Sequence, residues 1–250
     1  MPDTLPPADF ARTGLWVQRS GPVPTGFQVL GERASGTNYI RKLIELNCAL
    51  RRTEGLGWKH GFPSALAVPP DLAVICAVRA PEPWALSMFA KPWHTVPALQ
   101  SLGFSDFIRA PWETTVDRAR YFGGAQALVG QPLLPDRDPV TGAAMRNLFA
   151  LRRAKLRALL SYTVRAQTFV LVRTETLQAD PEGTLDALAG GLGLPARSAP
   201  FRGVTRRLGS KFKPAVAARP DAPAAMTPAD LAFMRAELDP ELESRLGYSI

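Results

Sequence analysis

The residues in this sequence that could do chemistry begin at Gly31. In "FQVLGERASGTNYIRKLIELN", Phe27 to Asn47, an apolar run ends at Gly31, a small-residue loop follows, and an apolar-periodic segment starts at Tyr39. That order predicts strand, tight loop, helix, a layout that turns backbone amides toward an anion. Gly31 and Gly36 permit a close backbone approach, Ser35 and Thr37 offer hydroxyls, and Arg33 adds a positive charge. No Lys precedes the Ser-Gly-Thr group, so the γ-phosphate and magnesium apparatus of nucleoside triphosphate hydrolysis is incomplete. Taken alone, the stretch reads equally well as an ordinary strand–helix turn.

Two further groups could complete a site. Arg79 ends the apolar run "LAVICAVR" and Ser87 lies eight residues on, two turns into the next helical segment. A strand-end Arg with a hydroxyl from the adjoining helix can hold a second phosphate beside the first. Lys59 and His60, in "WKHGFP", offer a cation for charge growing on a leaving phosphate and an imidazole base suited to neutral pH. His94, in "KPWH", reads as a second candidate base or as a packing corner. Glu175, ending "TFVLVRTE", reads as a carboxylate that orients a base or accepts from the acceptor hydroxyl or, in the preferred reading, one paired with Arg173 or another surface cation.

The elements that must position these groups are legible from periodicity. "FQVLG", "LAVICAVR" and "TFVLVR" are short, β-branched apolar runs suited to buried parallel strands. Between them lie helical segments. One is "TNYIRKLIELNCAL", with Tyr39, Leu43, Leu46 and Leu50 near one face. A longer one is "AAMRNLFALRRAKLRALLSYTVRA", with its leucines inward and Arg152, Arg153, Lys155 and Arg157 outward as a solvated stripe. Residues 1–26 are Pro/Gly-rich and read as irregular. Residues 27–250 read as a single α/β domain, with a turn-rich insertion or lid at about 104–142. Alternating strands and helices indicate a three-layer α/β fold with a mostly parallel central sheet.

Composition narrows the partners. A formal charge of +8 over 250 residues favours anionic ligands: phosphates, acidic glycans, nucleic acid or membrane surfaces. Both cysteines, Cys48 and Cys76, sit in apolar runs and read as buried thiols, with no metal site expected. No basic-then-apolar leader opens the sequence and no apolar run reaches membrane-spanning length, so the expected location is cytoplasmic.

The ordered set Ser35-Gly36-Thr37, Arg79 and Ser87 resembles the sulfotransferase family that uses 3′-phosphoadenosine 5′-phosphosulfate, in a divergent GERxSGTN-type branch. The likeness extends through "LVRTETLQADPEGTLDALAGGLGL" to "LDPELESRLGY" and is weak over 104–142. The resemblance implies a P-loop NTPase-like fold and transfer of a sulfuryl group to a hydroxyl acceptor. It implies that Ser35, Gly36, Thr37 and Asn38 hold the 5′-phosphosulfate and that Tyr39 stacks on adenine. It assigns the 3′-phosphate to Arg79 and Ser87, with Arg206, Arg207 and Gly209 adding contacts. Three departures stand out. Ala34 occupies the family's loop Lys position, leaving Arg33 or Lys59 to supply that charge. Thr174 replaces a strand-end Tyr. Lys59 and His60 are adjacent, where the family spaces a Lys and a His by one residue. The implied partners are the nucleotide donor and a hydroxyl-bearing glycan or lipid-linked sugar, which Trp84, Trp93, Trp112 and the basic residues suit; no specific nucleic acid is expected. A P-loop kinase and a non-catalytic anion or nucleic-acid binder are the competing readings.

Overall fold

The computed structural model describes residues 5–206 and 208–250. The chain runs α1 (Phe10–Thr13), β1 (Leu15–Arg19), β2 (Gly26–Gly31), α2 (Thr37–Asn47), β3 (Arg51–Arg52) and β4 (Leu72–Val78). Next come α3 (Pro81–Ala90), α4 (Pro97–Gln100), α5 (Phe104–Arg109), α6 (Leu148–Leu160) and β5 (Thr168–Arg173). It closes with α7 (Thr174–Ala179), α8 (Pro181–Leu192), α9 (Pro228–Glu237) and α10 (Pro240–Arg245). The chain divides into two compact units. One comprises Met1–Pro81, Lys155–Gly209 and Asp239–Ile250; the other comprises Glu82–Ala154 and Ser210–Leu238. The span 27–250, expected as one domain, is thus shared between the two, and 104–142 falls wholly in the second.

The first unit is α/β. Its five strands lie in the order β1-β5-β4-β2-β3; β2, β3, β4 and β5 are parallel, and β1 pairs antiparallel with β5 at the edge. Strand periodicity explains the two cores. Leu72, Val74, Cys76 and Val78 of β4, with Phe169 and Leu171 of β5, pack on one face against Leu156, Leu159, Leu242 and Leu246. Ala73, Ile75 and Ala77, with Val170 and Val172, pack on the other against Ile40, Leu43, Leu185 and Leu188. A strand covered on both faces needs apolar side chains at every position, and all seven of β4 are buried. Gln28, buried within β2, satisfies its amide by donating to the Gly57 carbonyl and accepting from the Leu56 amide, both at 2.9 Å.

The helices carry their own start and stop signals. Asp180 caps α8 by accepting from the Gly183 amide at 2.9 Å, Pro181 opens its first turn, and Gly193 ends it in the left-handed conformation. The buried stripe of α2 is Ile40, Leu43 and Ile44, rotated from the expected face, so Tyr39 and Leu46 stay half-buried.

The second unit is built on aromatic contacts. Phe89 meets Phe104 and Phe107 edge-on at 5.5 and 5.2 Å, and Phe107 meets Trp112 at 5.6 Å. Isolated bridges such as Thr95–Thr114 and Trp112–Met145 tie its turn-rich stretch together. Buried Asp230 accepts from Ser105, Arg109 and Thr227, holding α5 and α9 in register.

Two expectations are corrected here. Residues 1–26 are not wholly irregular: α1 and β1 lie there, because β5 offers an open edge along which Leu15–Arg19 pairs in full register. The basic stripe of α6 is not a solvated face either. Arg152 is 0% exposed, its guanidinium 5.2 Å from the Trp84 ring, and Lys155 is buried with its ammonium 4.1 Å from the Phe62 ring. Aromatic faces and a carbonyl partner offset the cost of burying Lys155; Arg157 alone of the four is exposed.

Candidate functional site

The loop from Gly31 to Gly36 leaves β2 and enters α2, and its carbonyls are tied back one by one. The Gly31 oxygen meets His60 Nδ1 at 2.7 Å, and the Glu32 oxygen accepts from Ser35 Oγ at 2.7 Å. The Ala34 oxygen accepts from Arg79 Nη1 at 2.9 Å, and the Ser35 oxygen accepts from Thr174 Oγ1 at 2.6 Å. With those carbonyls anchored, the amides of Ala34, Gly36, Thr37 and Asn38 make no hydrogen bond among the described residues. Four unspent N–H groups in one loop and first helical turn make a cradle of donors from which an anion can accept.

Backbone geometry explains the residue choices. Gly36 has φ 78°, and a Cβ there would come 2.8 Å from Thr174 Cγ2. At Gly31 a Cβ would meet Ser35 Oγ at 2.7 Å and the Ala77 oxygen at 2.8 Å. Ala34 takes φ 63° with a side chain present, one of two non-glycine residues in this region among those described. That strain, on the order of 1–2 kcal/mol, is held in place by the Arg79 bond to the same residue.

Charge gathers around the cradle. Lys59 Nζ donates to Asn38 Oδ1 at 2.6 Å, and the Lys59 carbonyl accepts from the Gly31 amide at 3.0 Å. Burial, then the Arg41 charge, pulls the Lys59 ammonium down to about 8. Arg33 is buried with its guanidinium 5.6 Å from the Trp58 ring, and Trp58 meets His60 edge-on at 5.3 Å. His60 is held well below the ordinary imidazole range, chiefly by desolvation and next by the Lys59 charge, so it is neutral at pH 7. A carbonyl can only accept, so the Nδ1 proton faces Gly31 and the lone pair lies on Nε2. Lys155 Nζ donates to the His60 carbonyl at 2.7 Å, which fixes the backbone that carries the imidazole.

The first unit therefore brings together Arg33, Ser35, Gly36, Thr37, Asn38, Lys59, His60 and Arg79. Tyr39 is half-buried beside the loop, with burial pushing its phenol up. Gly209 lies against Asn38: a Cβ there would come 3.3 Å from Nδ2. Arg206 is exposed, and Arg207 lies outside the described residues. Ser87 stands on α3 in the second unit, where its carbonyl accepts from the Lys91 amide at 3.1 Å. His94, also in the second unit, is buried and pairs with Asp117 at 2.7 Å.

Three residues take positioning roles other than those the sequence suggested. Thr174 anchors the loop, and Lys155 braces His60 from a helix expected to face solvent. Glu175 does not pair with Arg173: its Oε1 accepts from the Ala80 amide at 2.9 Å and its Oε2 from the Tyr248 hydroxyl at 3.3 Å, while Arg173 binds the Ala11 and Gly247 carbonyls. Glu175 thereby holds the turn that aims Arg79. The clue available in sequence was position, since Thr174 and Glu175 follow the end of β5 directly.

No group of three or more His, Cys, Asp or Glu side chains is placed to hold a metal ion among the described residues, and no helix there is long and apolar enough to cross a membrane. Comparison with known proteins finds no matching family model, no similar curated protein and no similar solved structure.

Proposed function

We propose that the chain is a sulfotransferase of P-loop-like fold that moves a sulfuryl group from 3′-phosphoadenosine 5′-phosphosulfate to a hydroxyl acceptor of carbohydrate type. The observation that carries this reading is the cradle of four undonated amides, with Arg79 bonded to its Ala34 carbonyl and Lys59 bonded to its Asn38 side chain. The residues fit an oxyanion bearing more than one charge: the undonated groups facing outward from the loop are backbone N–H groups, with the Lys59 ammonium beside them.

The chain's own groups then divide the work. The amides of Ala34, Gly36, Thr37 and Asn38 hold the phosphosulfate end. Lys59 stabilises negative charge as the sulfur–oxygen bond to the leaving phosphate breaks. His60 Nε2 takes the acceptor's hydroxyl proton as the new oxygen–sulfur bond forms. Glu175 and Thr174 touch neither substrate; they position Arg79 and the loop.

Calorimetry with adenosine 3′,5′-bisphosphate, AMP and ATP tests the reading. Selective binding of the bisphosphate, followed by sulfuryl transfer from labelled donor in an acceptor screen, is the expected result. Magnesium-dependent preference for ATP would replace it with a kinase, and indifference among the three with a general anion binder.

A further inference from the structure

The second unit contains an open concavity of about 420 Å³ lined by Arg118, Ala119, Arg120, Gln126 and Lys213. Three of its lining side chains are cationic. Among the described residues, the side chains of Arg120 and Lys213 form no ion pair. Arg118 reaches one carboxylate, Asp117, 3.8 Å from its Nε, and that carboxylate is already taken by His94 at 2.7 Å. The two arginines are also held rather than loose. Arg118 Nη2 donates to the Lys213 carbonyl at 2.9 Å, joining two distant segments. Arg120 Nη2 donates to the Tyr121 hydroxyl at 3.0 Å, with its guanidinium 4.8 Å from that ring. Behind them stands an aromatic wall: Trp93 meets Tyr121 at 5.6 Å and Phe212 at 5.2 Å.

We propose that this concavity is a second anion site, separate from the Gly31–Gly36 loop, that binds a small multivalent oxyanion of the phosphate-ester class through Arg118, Arg120 and Lys213. Three cations gathered near one carboxylate, Asp117, which is itself bonded to His94, repel one another, and a ligand with two or more negative charges relieves that repulsion where a single carboxylate does so less well. The volume lies within the range of small-molecule sites. Tyr121 reports the same field: burial raises its phenol, yet hydrogen bonds from Ser210, Arg120 and Arg118 outweigh that and hold it below the ordinary range. The anion site does not rest on the sulfotransferase reading.

The test is titration of inorganic pyrophosphate into the full chain, with and without saturating adenosine 3′,5′-bisphosphate. One pyrophosphate site should persist in the presence of the bisphosphate. The R120A/K213A double variant should weaken that site by about tenfold or more, as loss of two charge-assisted contacts would, with unchanged melting temperature. Arg79→Ala should leave it intact. Binding that vanishes under saturating bisphosphate, or that survives R120A/K213A unchanged, would overturn the proposal. So would a 20-base-pair duplex that binds more tightly than pyrophosphate and is lost in the same variant, since the surface would then serve a polymer. Should the bisphosphate itself fail to bind, the donor reading falls while the R120A/K213A comparison still decides this one.

Discussion

Replacing Lys59 by Met should make the protein more stable and a poorer anion binder at once. Burial brings the Lys59 ammonium down to about 8 from an ordinary 10.5, so the folded state disfavours the charge that the unfolded chain carries freely. Below about pH 8 the side chain is charged in both states and the folded protein bears the full penalty. As pH rises from about 8 to about 10.5 the unfolded chain holds more protons than the folded one, and stability rises with pH. Two and a half pH units at about 1.4 kcal/mol each give a penalty of about 3.5 kcal/mol. Met keeps the stem, removes the charge and forfeits the bond to Asn38, worth about 1 kcal/mol. The net gain at pH 7 is therefore about 2.5 kcal/mol, or roughly 5–10 °C for a chain of this length. Urea unfolding of parent and Lys59→Met at pH 7 and pH 10 measures it: the variant should lead at pH 7, and the gap should narrow at pH 10. Affinity for adenosine 3′,5′-bisphosphate at pH 7 should fall in the same variant. A Lys59→Met protein less stable than its parent at pH 7, or a gap that does not change with pH, would refute the account of Lys59 as a strained cation kept for anion binding.

Other outcomes follow from the same geometry. Arg79→Ala should weaken bisphosphate binding by about 1.5–3 kcal/mol in calorimetry, since a charge-assisted contact and the anchor of the Ala34 carbonyl go together. His60→Ala should keep donor binding while turnover falls by about 10²–10⁴-fold. Because burial and Lys59 hold His60 well below its ordinary range, the parent's turnover should stay level from pH 6 to pH 7.5; a drop to half near pH 6.5 would argue against His60 as base. Gly36→Ala should lower stability by about 2–4 kcal/mol, from left-handed backbone strain plus the clash with Thr174, and a melting temperature within a degree of the parent would contradict the loop geometry.

How much was legible beforehand depends on the range of the interaction. The three central strands, the order strand–loop–helix and the small-residue composition of the cradle follow from local chemistry. Unbroken apolar runs such as Leu72–Val78 have few alternatives to a strand covered on both faces, and Gly31 and Gly36 mark where the backbone must turn tightly. Edge pairing is not local: nothing in "LWVQR" announces β1 until β5 presents an open edge to it. The buried cations of α6 misled for a related reason. Arg152 and Lys155 carry the same charge as exposed Arg157, and only the Trp84 and Phe62 rings and the His60 carbonyl make burial tolerable.

The sequence by itself determined that a tight turn would follow the first parallel strand and lead into a helix, because Gly31 and Gly36 stand where the backbone must turn closely. Tertiary structure alone decided which groups turn that loop into a site. Arg79, Thr174 and His60 lie 45, 139 and 29 residues from the carbonyls they hold, at Ala34, Ser35 and Gly31 respectively, a convergence that side-by-side β2, β4 and β5 impose through their shared register and that no single segment encodes.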